Sequence, residues 1–204
     1  MGIVITRTKV LTAAAVNAIA HTQQPGAAGN LTLTGAVVTL DTQRQVLFTF
    51  VADESARTFV VYGTKQGGAA IQESITGTAT TAVTNQNFLT VSRISVDHST
   101  AGALQVGTNG VGSTDWQSVD IMRDPIHVGF QVVVGGTVNY TVQYTNSDVN
   151  SLAVGAYPAV FNHPTVVAQS TTQSGSIMEP VAYFRVTINS GTDPITLTYQ
   201  QAGP

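Results

Sequence analysis

Thr137-Val138-Asn139-Tyr140-Thr141-Val142-Gln143-Tyr144-Thr145 alternates apolar and polar side chains over nine residues. A period of two puts Val138, Tyr140, Val142 and Tyr144 on one face of an extended chain, with the threonines and amides on the other. A helical period of 3.6 would scatter them around the axis. The stretch therefore reads as a half-buried strand. The run before it, His127 to Val134, is strongly apolar, and Gly135-Gly136 between the two is a tight-turn signal.

The same grammar extends in both directions. Val181 to Asn189 and Ile195 to Gln200 read as a strand pair around Ser190-Gly191-Thr192-Asp193-Pro194. Upstream, Thr58 to Thr64 and Ala70 to Thr76 flank Gln66-Gly67-Gly68, which predicts a hairpin. Leu31 to Leu40, Gln45 to Val51, Phe88 to Val96, Leu104 to Gly107 and Trp116 to Ile121 add further strands, with Asn109-Gly110 and Gly112-Ser113 as turns. Gly77 to Asn85 reads as a strand edge or long loop, and Asn146 to Gly175 as an extended connection. Val and Thr, stiff at χ1, suit such a pleated chain. The expectation is an all-β protein of about a dozen strands, built as one or two β-sandwich modules of jelly-roll or Ig-like type. A boundary near 115–126 divides them into 31–122 and 123–204.

Residues 1–30 differ. Met1 to Lys9 reads as an extended arm, and Thr12 is placed to cap a short helix over Ala13 to Ala20. The segment imitates a signal peptide, but Thr12 and Asn17 interrupt its apolar region, so it is expected to stay on the chain. Ile3, Val4, Ile5, Val10 and Leu11 are the candidate subunit-interaction residues. The arm either docks on a neighbouring subunit or folds onto its own domain, and the sequence leaves both open.

Charge is scarce. Only 9% of the 204 residues are charged, against about 25% in an average domain. Spread over a surface on the order of 9,000 Å², that is roughly one charge per 500 Å². The polar surface must come from Thr, Ser, Asn and Gln. Either neighbours in an assembly cover much of it, or the protein works outside the cell; nothing in the chain commits it to secretion, which favours assembly. Net charge is -3, so there is no basic face for a polyanion and nucleic acid is not an expected partner. No apolar run approaches the roughly 20 residues of a membrane helix, and no membrane partner is expected. The absence of cysteine excludes disulfides, thiolate metal sites and a Cys nucleophile.

Candidate chemistry is thin. His21, His98, His127 and His163 are far apart, and neighbours such as Asp97-His98 would point to opposite faces of a strand. No G-x-S-x-G motif is present. Asp115, Asp120 and Asp124 surround Trp116, a pattern that could serve glycoside hydrolysis but reads better as a solvated strand rim. Gly107-Thr108-Asn109-Gly110 lacks the lysine of a phosphate loop. Trp116, Tyr140 and Tyr144 could form a sugar platform, although core packing is the favoured role. Asn30-Leu31-Thr32 and Asn139-Tyr140-Thr141 match the glycosylation pattern, as chance allows in a Thr-rich chain. No catalytic residue, cofactor or metal is assigned, and a non-enzymatic protein is expected.

Three stretches resemble small virion structural proteins of tailed bacteriophages. The first is Arg57-Thr58-Phe59-Val60-Val61-Tyr62-Gly63-Thr64 with Gly67-Gly68, Ala70, Glu73-Ser74-Ile75 and Gly77. The second is Phe88 to Val96 with Ala101-Gly102 and Val106-Gly107-Thr108. The third is Val138 to Thr145 with Asp148-Val149, Phe161-Asn162-His163-Pro164, Pro180-Val181, Arg185 to Ile188 and Leu197-Thr198. The resemblance implies a β-sandwich component of the virion, assembled in the host cytoplasm, with other virion proteins and copies of itself as partners. A capsid decoration or cement role is preferred, with a neck, collar or tail component as the alternative. An adhesin or carbohydrate-binding module is the second class, and an enzyme the third.

Overall fold

The computed structural model describes residues 4–122 and 126–202. Sixteen strands, numbered in chain order, are formed by these residues, with no helix among them. They are β1 Val4–Lys9, β2 Ala15–Gln23, β3 Gly29–Asn30, β4 Val38–Phe50, β5 Thr58–Thr64 and β6 Ala70–Thr76. Next come β7 Thr81–Val83, β8 Phe88–Val96, β9 Leu104–Ser113, β10 Gln117–Ser118 and β11 His127–Val134. The last are β12 Val138–Thr145, β13 Phe161–Asn162, β14 Gln173–Ile177, β15 Tyr183–Gly191 and β16 Ile195–Ala202. Every pairing with a resolved register is antiparallel.

The chain forms two compact units. A terminal unit takes Met1–Thr12, Gly112–Leu152 and Pro158–Pro204; a middle unit takes Ala13–Val111 and Ala153–Tyr157. The expected division at 30 and 122 differs because residues 1–30 are shared. β1 pairs with β16, whereas β2 pairs with β9.

In the terminal unit one sheet has the order β1-β16-β11-β14. Facing it, β12 lies between β13 and β15, and β15 also pairs with β10 and with Gly112 and Ser113. The inward residues of both sheets share one core: Val128, Phe130 and Val132 with Ile195, Leu197 and Tyr199 from the first, Val138, Tyr140 and Val142 with Phe184, Val186 and Ile188 from the second. This is the layout of a β-sandwich. The expected face of β12 is the inward one, with Tyr144 partly buried at its end. β15 and β16 do not pair with each other as expected; they belong to opposite sheets. The turn before Pro194 carries the chain across, as does the Gly135-Gly136 turn between β11 and β12. The two turns are tied together, with Thr137 N–H donating to Asp193 Oδ2 at 2.6 Å. A Cβ on Gly136 would collide with that carboxylate.

In the middle unit the order is β9-β4-β8-β5-β6, with β2 on β9, β3 on β8 and β7 on β4. The predicted hairpin is present, β5 and β6 pairing from Thr58↔Thr76 to Thr64↔Ala70. Phe48 and Phe50, two apart on β4, meet Phe59 with ring centroids 5.3 Å from each. The Ala-rich segment expected to be a helix is strand β2. Alanine's helix propensity is a weak prior, overridden here by burial of Ile19 and Ala20 and by pairing with β9. That pairing is close: a Cβ on Gly107 would strike the Ala15 carbonyl. β9 runs through both pairs read as turns, with Gly110 at a positive φ of 85° inside it. The expected strand 31–40 is irregular up to residue 37, and only its end joins the 45–51 run in one strand, β4, whose register against β8 shifts between Thr39 and Arg44. Arg44 is buried there beside Asp41, 3.3 Å away.

Glu73 of β6 organises the 84–87 bend, its carboxylate accepting the backbone N–H of Asn85 and of Gln86, each at 2.8 Å. The three-ring cluster is the centre of the middle unit's core. Truncating fully buried Phe48 to Ala is predicted to cost about 3–5 kcal/mol, read as a lowered urea midpoint. The solvent-exposed Val51→Ala should change stability by no more than about 0.5 kcal/mol.

Candidate functional site

The N-terminal strand carries the sequence-predicted contact residues, and the structure separates their roles. β1 lies on the outer side of β16, register Val4↔Gln200 to Lys9↔Ile195, so the arm folds onto its own unit. Ile5 packs against the core and Leu11 is buried at 1% exposure, anchoring the segment. Val4 and Val10 are exposed at 58% and 49%. Ile3 lies outside the described residues. Threonines form a ladder on the strand's outward face: Thr8 Oγ1 is 2.9 Å from Thr196 Oγ1, and Thr6 Oγ1 is 3.4 Å from Thr198 Oγ1.

On the opposite edge of the same sheet, a cleft of about 390 Å³ opens beside β14. Gly175, Ser176 and Ile177 form one wall, and Tyr144, His163 and Val181 the other. His163 is buried, with its Nε2 3.2 Å from the Ser176 carbonyl and its Nδ1 accepting the Thr165 N–H at 3.3 Å. Its ring meets Phe130 edge-on at 5.2 Å. Both ring nitrogens are thus engaged in holding the cleft's walls together, and the imidazole is a structural tie. Phe161 stacks on Tyr144 near the mouth, and Met178 at the rim is 68% exposed. The apolar side chains on the wall and at the rim make the cleft suited to an aliphatic side chain. The sequence missed it, because its walls come from β12, the 163–165 segment and β14, and no local motif joins them.

Several of the other candidates have structural partners. Asp97 and His98 sit just past the end of β8, where a bend brings Nδ1 within 3.5 Å of Oδ1 in an exposed pair. The Asp97 carboxyl is held low, chiefly by a hydrogen bond from the Thr58 backbone. No group of three His, Cys, Asp or Glu residues able to hold a metal exists among the described residues. Asp120 receives the Met122 N–H on its carboxylate at 3.1 Å, and its backbone is clasped by the Gln201 side chain. Asp124 lies outside the described residues. Asp148 accepts three hydrogen bonds. Ser151 donates its hydroxyl at 2.8 Å, and the Asn150 N–H and Tyr183 hydroxyl add to it. These bonds hold Asp148 below the usual carboxylate range. Desolvation, then the hydrogen bond to Asp148 and its charge, pushes the Tyr183 phenol up.

The structure does not assemble the three platform aromatics. Trp116 has the Arg185 guanidinium over its ring at 4.4 Å, and that guanidinium donates to Gln143 Oε1. Thr187 donates to the same oxygen at 2.7 Å. Tyr140 is fully buried, its hydroxyl donating to the Thr171 carbonyl at 2.9 Å. Tyr144 is in the cleft wall. Core packing accounts for Tyr140, while Trp116 serves as a lid for Arg185.

No protein-family model matches the chain, and no curated protein matches it in sequence.

Burial pushes the Tyr140 phenol up to about 12 from its ordinary 10. A phenol raised by folding stabilises the fold fully below 10, and that contribution is lost as pH rises from 10 through 12. The melting temperature is therefore predicted to fall across this interval, and less steeply in Tyr140→Phe. Equal slopes would show that the phenol is not what links folding to alkaline pH.

Proposed function

We propose that this chain is a non-enzymatic structural subunit of a tailed-bacteriophage particle, most simply a capsid decoration protein. Its modules are then sandwiches of the jelly-roll or Ig-like kind, and its partners are shell proteins and further copies of itself. The observation that carries this reading is the nature of the sheet faces. The surface measures 9483 Å², and the chain has eight basic and eleven acidic side chains, of which Arg44, Glu54 and Arg185 are buried, so it shows fewer than about one charge per 500 Å². Between them lie neutral side chains that satisfy one another. Thr6, Thr8, Thr196 and Thr198 form one such array; Thr64 and Thr90 form another, with hydroxyls 2.7 Å apart. On β12 and β15, Asn189 Nδ2 donates to Asn139 Oδ1 at 2.7 Å and to Thr141 Oγ1 at 3.0 Å.

A face whose polar groups already have partners can be covered without stranding a donor or a charge. Docking then costs little desolvation, and apolar burial contributes at about 25 cal/mol per Å². Exposed Val4, Val10, Val37, Val133 and Met178 supply such area. Weak single contacts suffice where a symmetric shell repeats them.

Difference maps between particles with and without this gene product provide the test. Added density following the shell lattice is the predicted result. A single ring at the neck would move the subunit to a connector role. Particles with no missing density would contradict a virion location.

A further inference from the structure

We propose that the four-stranded sheet of the terminal unit continues edge to edge into a second copy of the chain, β14 of one copy pairing with β1 of the next. The inference deepens the structural-subunit reading, and rests on it for the expectation that copies meet; it names the surfaces and their register.

Strand direction comes first. The order β1-β16-β11-β14 is antiparallel at all three junctions, and no described strand pairs the outer edge of β1 or β14. An even count makes the two edge strands run in opposite directions. A copy placed alongside in the same orientation therefore brings its β1 to β14 antiparallel. A sheet of three or five strands would have given a parallel contact.

Edge chemistry comes second. Soluble proteins usually blunt free edges with proline, bulges or charge. β14 is Gln173-Ser174-Gly175-Ser176-Ile177, without proline, charge or a register shift against β11. β1 also lacks proline and pairs with β16 without a shift, and its charges, Arg7 and Lys9, are both positive.

The cleft supplies the register. Cross-strand alignment within one copy runs Val4↔Gln200↔Gly129↔Ser176. Continued straight into the next copy, it sets Val4 against Ser176, Ile5 against Gly175, Thr6 against Ser174 and Arg7 against Gln173. Ile5 belongs to the inward face, packed against the core. Gly175 presents no side chain, and it lines the cleft with Ile177 and Val181. The Phe130 ring lies over Gly175, its Cζ 2.6 Å from where a Cβ would stand, so the neighbour's Ile5 packs against that ring at the edge of the cleft. The Ser176 carbonyl already bonded by His163 keeps a second lone pair for an incoming N–H. Such a contact is heterologous, so copies form a ring if the rotation closes and a filament if it does not.

The chain has no cysteine, so engineered thiols report without background. Thr6 and Ser174 are both exposed. They lie on opposite edges of one sheet, about 14 Å apart at roughly 4.8 Å per strand, beyond the ~7 Å limit for a disulfide within one copy. Full-length Thr6→Cys and Ser174→Cys are mixed and oxidised, with circular dichroism checking that each is folded. The expected result is a covalent dimer in the mixture but in neither variant alone, and a ladder from the double variant. Thr8→Cys mixed with Ser174→Cys, two residues out of register, should link several-fold less. A dimer from Thr6→Cys alone would mean β1 meets β1, and would overturn the proposal. So would folded variants that give no dimer in the mixture. Cross-linking reads the contact in the purified chain and particle maps read residence on a virion, so either reading can fail while the other stands.

Discussion

The terminal unit depends on β16 being paired on both sides. β11 holds one side along eight residues and β1 the other along six. Ile195, Leu197 and Tyr199 point inward from it into the shared core, and Tyr199 donates its hydroxyl to Gln117 at 2.9 Å. Burial in the core pushes that phenol up from its ordinary range. One of the two pairings joins residues nearly 190 positions apart: Thr8 to Thr196. Loop closure grows costly only slowly with length, so a distant terminal strand can close a sheet as well as a neighbouring one. The unit is complete only when the first and last segments of the chain meet.

That constraint shapes the surface. With backbone groups consumed in ladders, the outward side chains are left to satisfy each other or water. Here they are hydroxyls and amides in mutual contact, and the ionisable groups are drawn into local tasks. Glu73 fixes a bend, Asp148 gathers Ser151, Asn150 and Tyr183, and Arg185 lies between Trp116 and Gln143. Glu54, almost wholly buried, accepts the Gly102 N–H at 2.8 Å and joins two loops of the middle unit. A chain that spends its charges on internal architecture keeps faces that are cheap to cover and hard to steer by electrostatics.

How much of this was legible depended on how local the cause was. The alternation from Val138 to Tyr144 identified β12 and its inward face, because period two is written in adjacent residues. The 58–76 hairpin was equally readable, since its turn glycines lie between its strands. The segment 13–20 was not, because alanine favours a helix locally while its partner, Gly107 of β9, is about 90 residues away. β15 and β16 were correctly seen as strands but wrongly paired with each other: the sequence shows a turn between them, not that the turn changes sheets. The 146–175 connection hid β14, whose Gln-Ser-Gly-Ser-Ile has almost no apolar alternation and is a strand because β11 pairs with it. For the same reason the cleft along β14 had no signature. Of the predicted contact residues, Leu11 and Ile5 turned inward while Val4 and Val10 stayed outside; for Val4 and Ile5 the pairing of β1 with β16 makes that distinction.

We propose that so lightly charged an exterior is made to be covered by other subunits. Sedimentation velocity of the purified chain tests it most directly, over a hundredfold range of concentration and at about 0.01 M and 1 M salt, between which the Debye length falls from about 30 to 3 Å. The account predicts a weight-average mass that climbs above 21.3 kDa with concentration, along nearly the same curve in both salts. A single 21.3 kDa species at every concentration, or association abolished by salt, would contradict it.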